Sequence, residues 1–109
     1  MQDRHINRKR YFDELAHSSR KYFLPYLESF FKIDASTRIL EIGCGDGGNL
    51  LPFAERQCSV MGIDLSEKRI QQAREFFEES GCQARFSSLN VFDMTVGDEL
   101  YDVILIHDV

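Results

Sequence analysis

The chain has 109 residues, 43% hydrophobic, 12% aromatic and 28% charged, the make-up of one globular domain with one core rather than a disordered tail or a collagen-like repeat. No run approaches the roughly 18 apolar residues of a spanning helix, and Met1 to Arg10 is polar and basic rather than a secretory leader, so no membrane partner and a cytoplasmic protein are expected. The net charge of -5 is uneven: residues 1–38 hold eight Lys/Arg against five Asp/Glu, residues 39–109 five against thirteen, an acidic body that disfavours nucleic acid.

Apolar residues first recur at helical spacing: Tyr11, Phe12, Leu15 and Ala16, then Phe23, Leu24, Leu27, Phe30 and Phe31. Two helices are expected, with Ser18 and Ser19 capping the second and Pro25 opening a fresh turn or kinking it. The basic charges there read as a solvated helix face. Asp34-Ala-Ser-Thr is a turn, and Arg38 to Ile42 is a short strand stopped by Gly43, Gly45, Gly47 and Gly48. This divides the chain into a helical segment, 1–37, and a second unit, 38–109.

A helix is expected over Asn49 to Gln57 with Pro52 near its first turn, and a strand over Ser59 to Ile63 that ends at Asp64. Ser66 caps the next helix, whose buried stripe is Ile70, Ala73, Phe76 and Phe77 and whose stop is Gly81. Strands follow over Gln83 to Ser88 and Tyr101 to Ile106, the latter apolar on both faces as buried parallel strands are. Cys44, Cys58 and Cys82 show no CxxC spacing, which argues against a disulfide framework or a zinc site; they read as small buried or half-buried thiols.

Strands alternating with helices imply a doubly wound parallel α/β sheet of Rossmann-like type, which binds ligands at the carboxyl ends of its strands. That rule gathers Glu41 to Gly48, Asp64, Leu89 to Asp93 and His107 to Asp108 on one rim. The glycine loop spells both GxGxxG, through Gly43, Gly45 and Gly48, and ExGxGxG, through Glu41, Gly43, Gly45 and Gly47. Glu41 separates the two. A pyrophosphate on a helix N-terminus is poorly served by a carboxylate, whereas an ammonium or sulfonium is attracted by one, by about 4 kcal/mol at about 4 Å and an effective dielectric of about 20. Asp46 adds a second negative charge. Asp64, nineteen residues after Gly45, can accept two hydrogen bonds from a cis-diol.

Residues 38–109 resemble the N-terminal half of a class I S-adenosylmethionine-dependent methyltransferase, with four motifs in order. Glu41-x-Gly43-x-Gly45-x-Gly47 resembles the first motif; by that likeness the loop, Cys44 included, lies against the methionine and ribose of the cofactor. Gly62-Ile-Asp64-Leu-Ser66 resembles the second, which implies that Asp64 takes the ribose hydroxyls and Leu65 packs on adenine. Asn90, beside Val91, stands where the third motif touches the adenine amino group, with Asp93 as a second candidate. Tyr101-Asp-Val-Ile-Leu-Ile-His-Asp108 resembles the fourth motif, which implies that His107 and Asp108 face the transferred methyl. Arg20, Lys21 and Tyr22 stand where some relatives close over the ligand carboxylate.

Each residue also has a plainer reading. Asp64 can cap a turn, Glu41 can be a solvated strand end, and Asn90 and Asp93 can close an Asx-turn. Phe92 and Met94 read as core, His5 and His17 as surface residues, and no His has a metal-ligand partner in view. A complete class I domain has seven strands, so the chain is expected to be a fragment, with the edge of its fourth strand bare and open to pairing with a second copy. A module that holds the cofactor or its product, S-adenosylhomocysteine, without transferring a methyl, and an NAD(P)- or flavin-linked Rossmann enzyme, are the other readings.

Overall fold

The computed structural model describes residues 2–93 and 100–106. Its centre is a sheet of four parallel strands: β1 (Arg38–Ile42), β2 (Ser59–Asp64), β3 (Arg85–Ser88) and β4 (Val103–Ile106), in the spatial order β3-β2-β1-β4. The chain runs outward from β1 through β2 to β3 and then crosses to the other side of β1. The loop after β1 therefore stands where the winding reverses, the usual ligand crevice of such sheets. The α/β, Rossmann-like architecture read from the sequence is the one observed.

The amino-terminal segment departs from expectation. Instead of two capped helices there is one continuous helical path: α1 (Gln2–Ser18), a wide π-turn (Ser19–Phe23) and α2 (Leu24–Glu28). Ser18 keeps helical angles and caps nothing. Ser19 is buried, and its hydroxyl donates to the Asn49 carbonyl at 2.7 Å. Pro25, which lacks an N–H, lies in the first turn of α2, and the path stays unbroken because the Leu24 N–H reaches back five residues to the Ser19 carbonyl. Only Phe12, Ala16 and Leu24 of the expected apolar stripe are fully buried; Phe30 and Phe31 follow the end of α2 and are exposed.

A short 3-10 turn (Gly48–Leu50) leads into α3 (Leu51–Glu55), with Pro52 in its first turn. α4 (Glu67–Glu79) is capped by Ser66, whose hydroxyl accepts from the Arg69 N–H at 3.2 Å, and Ile70, Ala73, Phe76 and Phe77 are buried as expected. Gly81, at φ +70°, ends it, and the Cys82 N–H closes onto the Phe77 carbonyl at 3.0 Å, so β3 begins at Arg85 rather than Gln83. The core joins α1 to α4 and β3 through aromatic rings, Phe12 to Phe76 at 4.9 Å and Phe77 to Phe86 at 4.9 Å.

β4 begins two residues later than expected because Asp102 is engaged in pinning the start of β1: its carboxylate accepts from the Arg38 N–H at 2.8 Å, and its own N–H donates to the Arg38 carbonyl at 2.9 Å. As a strand at the edge of the sheet it is not covered on both faces. Val103 is buried, while Ile104 and Ile106 are 54% and 66% exposed. Cys44 and Cys58 are buried and Cys82 is half-buried, as free thiols. No helix among the described residues is long and apolar enough to cross a membrane.

Candidate functional site

A cleft of about 630 Å³ opens at the carboxyl ends of the strands. The loop after β1 forms one wall. Its Gly43 and Cys44 N–H groups both donate to the Ile63 carbonyl, at 2.9 and 3.0 Å, which folds the loop back over the end of β2. Gly43 and Gly45 line the cleft at φ +74° and +56°, angles that a side chain would strain. Gly47 does not line it; this glycine packs inward, with Phe77 and Phe86 about 3.0–3.1 Å from where a Cβ would stand.

Glu41 lines the cleft yet is only 1% exposed, not the solvated strand end of the plainer reading. Its Oε2 accepts from Asn49 Nδ2 at 3.0 Å, and its Oε1 has no partner among the described residues. Burial pushes its carboxyl up to about 8; the Asn49 hydrogen bond opposes this and the Asp64 charge adds to it. Glu41 is therefore mostly a neutral acid at pH 7 in the ligand-free chain, where the sequence reading treated it as a standing anion. Burial first, and then the Glu41 and Asp64 charges, push the Cys44 thiol up as well, so it is no thiolate nucleophile.

Asp64 is half-buried at the end of β2. Its Oδ2 accepts from the Gly45 N–H and its Oδ1 from the Ser66 N–H, both at 2.9 Å, so it ties the glycine loop to the start of α4. A carboxylate has about four acceptor sites, and two bonds leave capacity facing the cleft. The Leu89 N–H donates to the Asp64 carbonyl at 3.0 Å and brings the loop after β3 alongside.

That loop supplies Leu89, Asn90, Val91 and Phe92 to the cleft. Asn90 does close an Asx-turn, its Oδ1 accepting from the Phe92 N–H at 2.9 Å, and it lines the cleft at the same time. Asp93 is exposed in the turn that follows and does not line the cleft. Phe92, expected in the core, is 91% exposed on the cleft rim, in the turn that Asn90 closes. Leu65, 73% exposed, offers a second uncovered apolar surface there.

Several expected neighbours lie elsewhere. Asp46 is buried in an ion pair with Arg8 of α1 at 2.6 Å, so its charge is answered within the chain and does not face the cleft. Arg20 pairs with Glu55 at 2.7 Å, Lys21 lies over the Tyr22 ring, and none of these three lines the cleft. His17 is exposed on α1, and Met94, His107 and Asp108 lie outside the described residues. The sequence reading missed Asn49, and it missed Tyr11, Leu15 and Arg69, which wall the cleft from α1 and α4. No cluster of metal-ligating side chains occurs among the described residues.

Comparison with known proteins agrees with the fold. Residues 39–109 match a family described as Methyltransferase domain. The ubiquinone biosynthesis O-methyltransferase of Rickettsia felis is 26% identical over 85 residues, which are 78% of this chain and 34% of that protein. The plantazolicin methyltransferase BpumL, solved in complex with a monoazolic desmethylPZN analog and SAH, superposes with a TM-score of 0.68 at 29% identity over 97% of this chain and 39% of that one. The magnesium protoporphyrin IX methyltransferase of Synechocystis PCC 6803, solved with bound SAH, shares the fold, with a TM-score of 0.73 at 22% identity over 89% of this chain and 44% of that one. The chain spans about a third of the length of curated relatives that it matches. It belongs to the methyltransferase-domain family, the class I S-adenosylmethionine-dependent methyltransferases.

Proposed function

We propose that this chain binds S-adenosylmethionine in the cleft after β1 and serves as the cofactor half of a methyl transfer. The observation that carries this is the meeting, in one cleft, of a buried acid, Glu41, with an oxygen that has no partner among the described residues, and a half-buried carboxylate with spare acceptor capacity, Asp64. The first suits an ammonium and the second a ribose diol. Gly43, Cys44 and Gly45 give backbone approach along the methionine and ribose, with Gly47 shaping the loop from behind. Leu65, Asn90 and Val91 form the adenine end, and Phe92 adds an exposed ring.

When bound, the cofactor supplies an activated sulfonium methyl, so the chain needs no nucleophile of its own. Its residues hold and orient, which is the larger part of catalysis in such a displacement. The dinucleotide alternative is poorly served. Gly48, the third glycine of that fingerprint, is covered by α1, and a carboxyl stands at the strand end where a pyrophosphate would rest.

Calorimetric titration with S-adenosylhomocysteine and with NAD tests the reading. Binding of the first and silence from the second is the expected result, and the reverse overturns it. A methyl-transfer assay over small-molecule, lipid, protein and RNA acceptors then distinguishes an enzyme from a module that only holds the cofactor. We further propose that a second copy pairs along β4, the edge strand among the described residues, and sedimentation at micromolar concentration decides whether it does.

A further inference from the structure

Glu41 and Asn49 both line the cleft, both are buried, and they are bonded to each other at 3.0 Å. After that bond, Glu41 Oε1 and Asn49 Oδ1 have no partner among the described residues, and once Glu41 gives up its proton both are buried acceptors. Acceptors left unmet away from water are costly, and two in one cleft call for a guest rich in donors. A phosphate or carboxylate offers only acceptors. An ammonium offers three N–H donors and no acceptor.

Asn49 is itself held from the amino-terminal side, where the Ser19 hydroxyl donates to its main-chain carbonyl at 2.7 Å and leaves the side-chain Oδ1 free of that bond. Among the described residues no ion pair reaches Glu41. Asp64 on β2 repels its ionised form, and the neutral Cys44 thiol and the Asp46–Arg8 pair occupy the loop side. α1 contributes Tyr11 and α4 contributes Arg69 to the cleft wall, and β4 sets Leu105 opposite Glu41 in the sheet. A buried carboxylate with one neutral donor is poorly compensated, so its proton stays until a cation enters.

We infer that Asn49 is a binding and positioning residue that completes an ammonium seat: its amide fixes one Glu41 oxygen, its own carbonyl and the second Glu41 oxygen receive the cation, and entry of the cation expels the Glu41 proton to solvent. The inference rests on the cofactor reading above and adds a residue and a proton to it. Uptake of the cofactor then tightens as pH rises toward 8, by up to about tenfold per pH unit from this group.

The test is calorimetry of S-adenosylhomocysteine with the 109-residue chain at pH 7.0, in two buffers of different ionisation enthalpy, paired with a carbon NMR titration of the Glu41 carboxyl in the free chain. Binding should release close to one proton, and the free Glu41 carboxyl should titrate above pH 7. Glu41→Gln should bind more weakly and release none. The isosteric Asn49→Asp, which sets a second carboxyl against the first, should move the Glu41 titration upward and weaken binding at pH 7 by at least about tenfold, with its fold checked by circular dichroism. Binding without proton release, or a free Glu41 that titrates near 4.5, overturns the inference and leaves the cofactor reading standing. Absence of binding at every pH from 6 to 8 overturns both.

Discussion

Gly48 and Leu15 approach so closely that a Cβ on the glycine would stand 2.7 Å from the leucine Cβ, with the Phe12 carbonyl oxygen equally near. The contact seats α1 on the turn after the glycine loop and so places Tyr11 and Leu15 in the cleft wall. Gly48→Ala should therefore push α1 away and destabilise the chain by about 1–3 kcal/mol, the usual cost of overpacking. Gly81→Ala meets no neighbour and should cost about 1 kcal/mol, from its φ of +70° alone. Urea denaturation compares the two, and only Gly48→Ala should also weaken S-adenosylhomocysteine binding.

The Arg8–Asp46 pair makes a second seam between α1 and the loop. Asp46 is wholly buried while the Arg8 side chain is a third exposed, so the pair is screened on one side only. Arg8→Gln leaves a buried carboxylate without its cation and should cost about 2–3 kcal/mol, toward the lower end for broken buried pairs because water reaches Arg8. Asp46→Asn should cost less, and the double variant less than the sum of the two singles. Denaturation midpoints of the four proteins measure this; strict additivity would show that the two charges do not act on each other.

Asp64 carries a structural and a proposed binding duty, which substitution can separate. Asp64→Ala removes the acceptor for the Gly45 and Ser66 N–H groups together with the proposed diol contacts. Two charge-assisted bonds at about 1.5–3 kcal/mol each predict a loss of S-adenosylhomocysteine affinity of about 10²- to 10⁴-fold. Ser66→Ala removes only the cap of α4, should lower stability by about 1 kcal/mol and should leave affinity within about threefold. Calorimetry and denaturation on the same samples show whether the two effects part.

What the sequence disclosed, and what it did not, follows from the range of the forces involved. The cap at Ser66, the stop at Gly81 and the stripe from Ile70 to Phe77 are set by neighbours a few residues away, and all three appear as read. The glycine loop was legible because positive φ has a composition. Ser19 was misread as a cap because its hydroxyl is used thirty residues away, on Asn49, which no local pattern announces. Asp46 was assigned to the ligand because Arg8 becomes its neighbour only after α1 docks. Phe92 looked like core because hydrophobicity alone does not tell a ring that fills a core from one that rims a cleft. The one overlooked signal for the α1 wall was Leu15, in the same helical stripe as the buried Phe12.

The Glu41 carboxyl should also write itself into the stability of the free chain. Its folded value of about 8 lies above the ordinary 4.5, so between those limits the native state holds a proton that the unfolded chain has released. Unfolding then sheds a proton, and stability falls as pH rises through that window: no penalty from this group below about 4.5, all of it above about 8, with a slope approaching 1.4 kcal/mol per pH unit between. Asp34, lowered by its Ser36 hydrogen bonds, titrates in a more acid range, and the Cys44 thiol at higher pH, so neither obscures it. Glu41→Gln keeps an acceptor for Asn49 and cannot ionise. Urea denaturation at pH 5.5, 6.5, 7.5 and 8.5 should show the wild-type chain losing stability relative to Glu41→Gln at each step, and saturating S-adenosylhomocysteine should flatten that difference. A constant difference across the series would mean that Glu41 is ionised in the folded chain throughout.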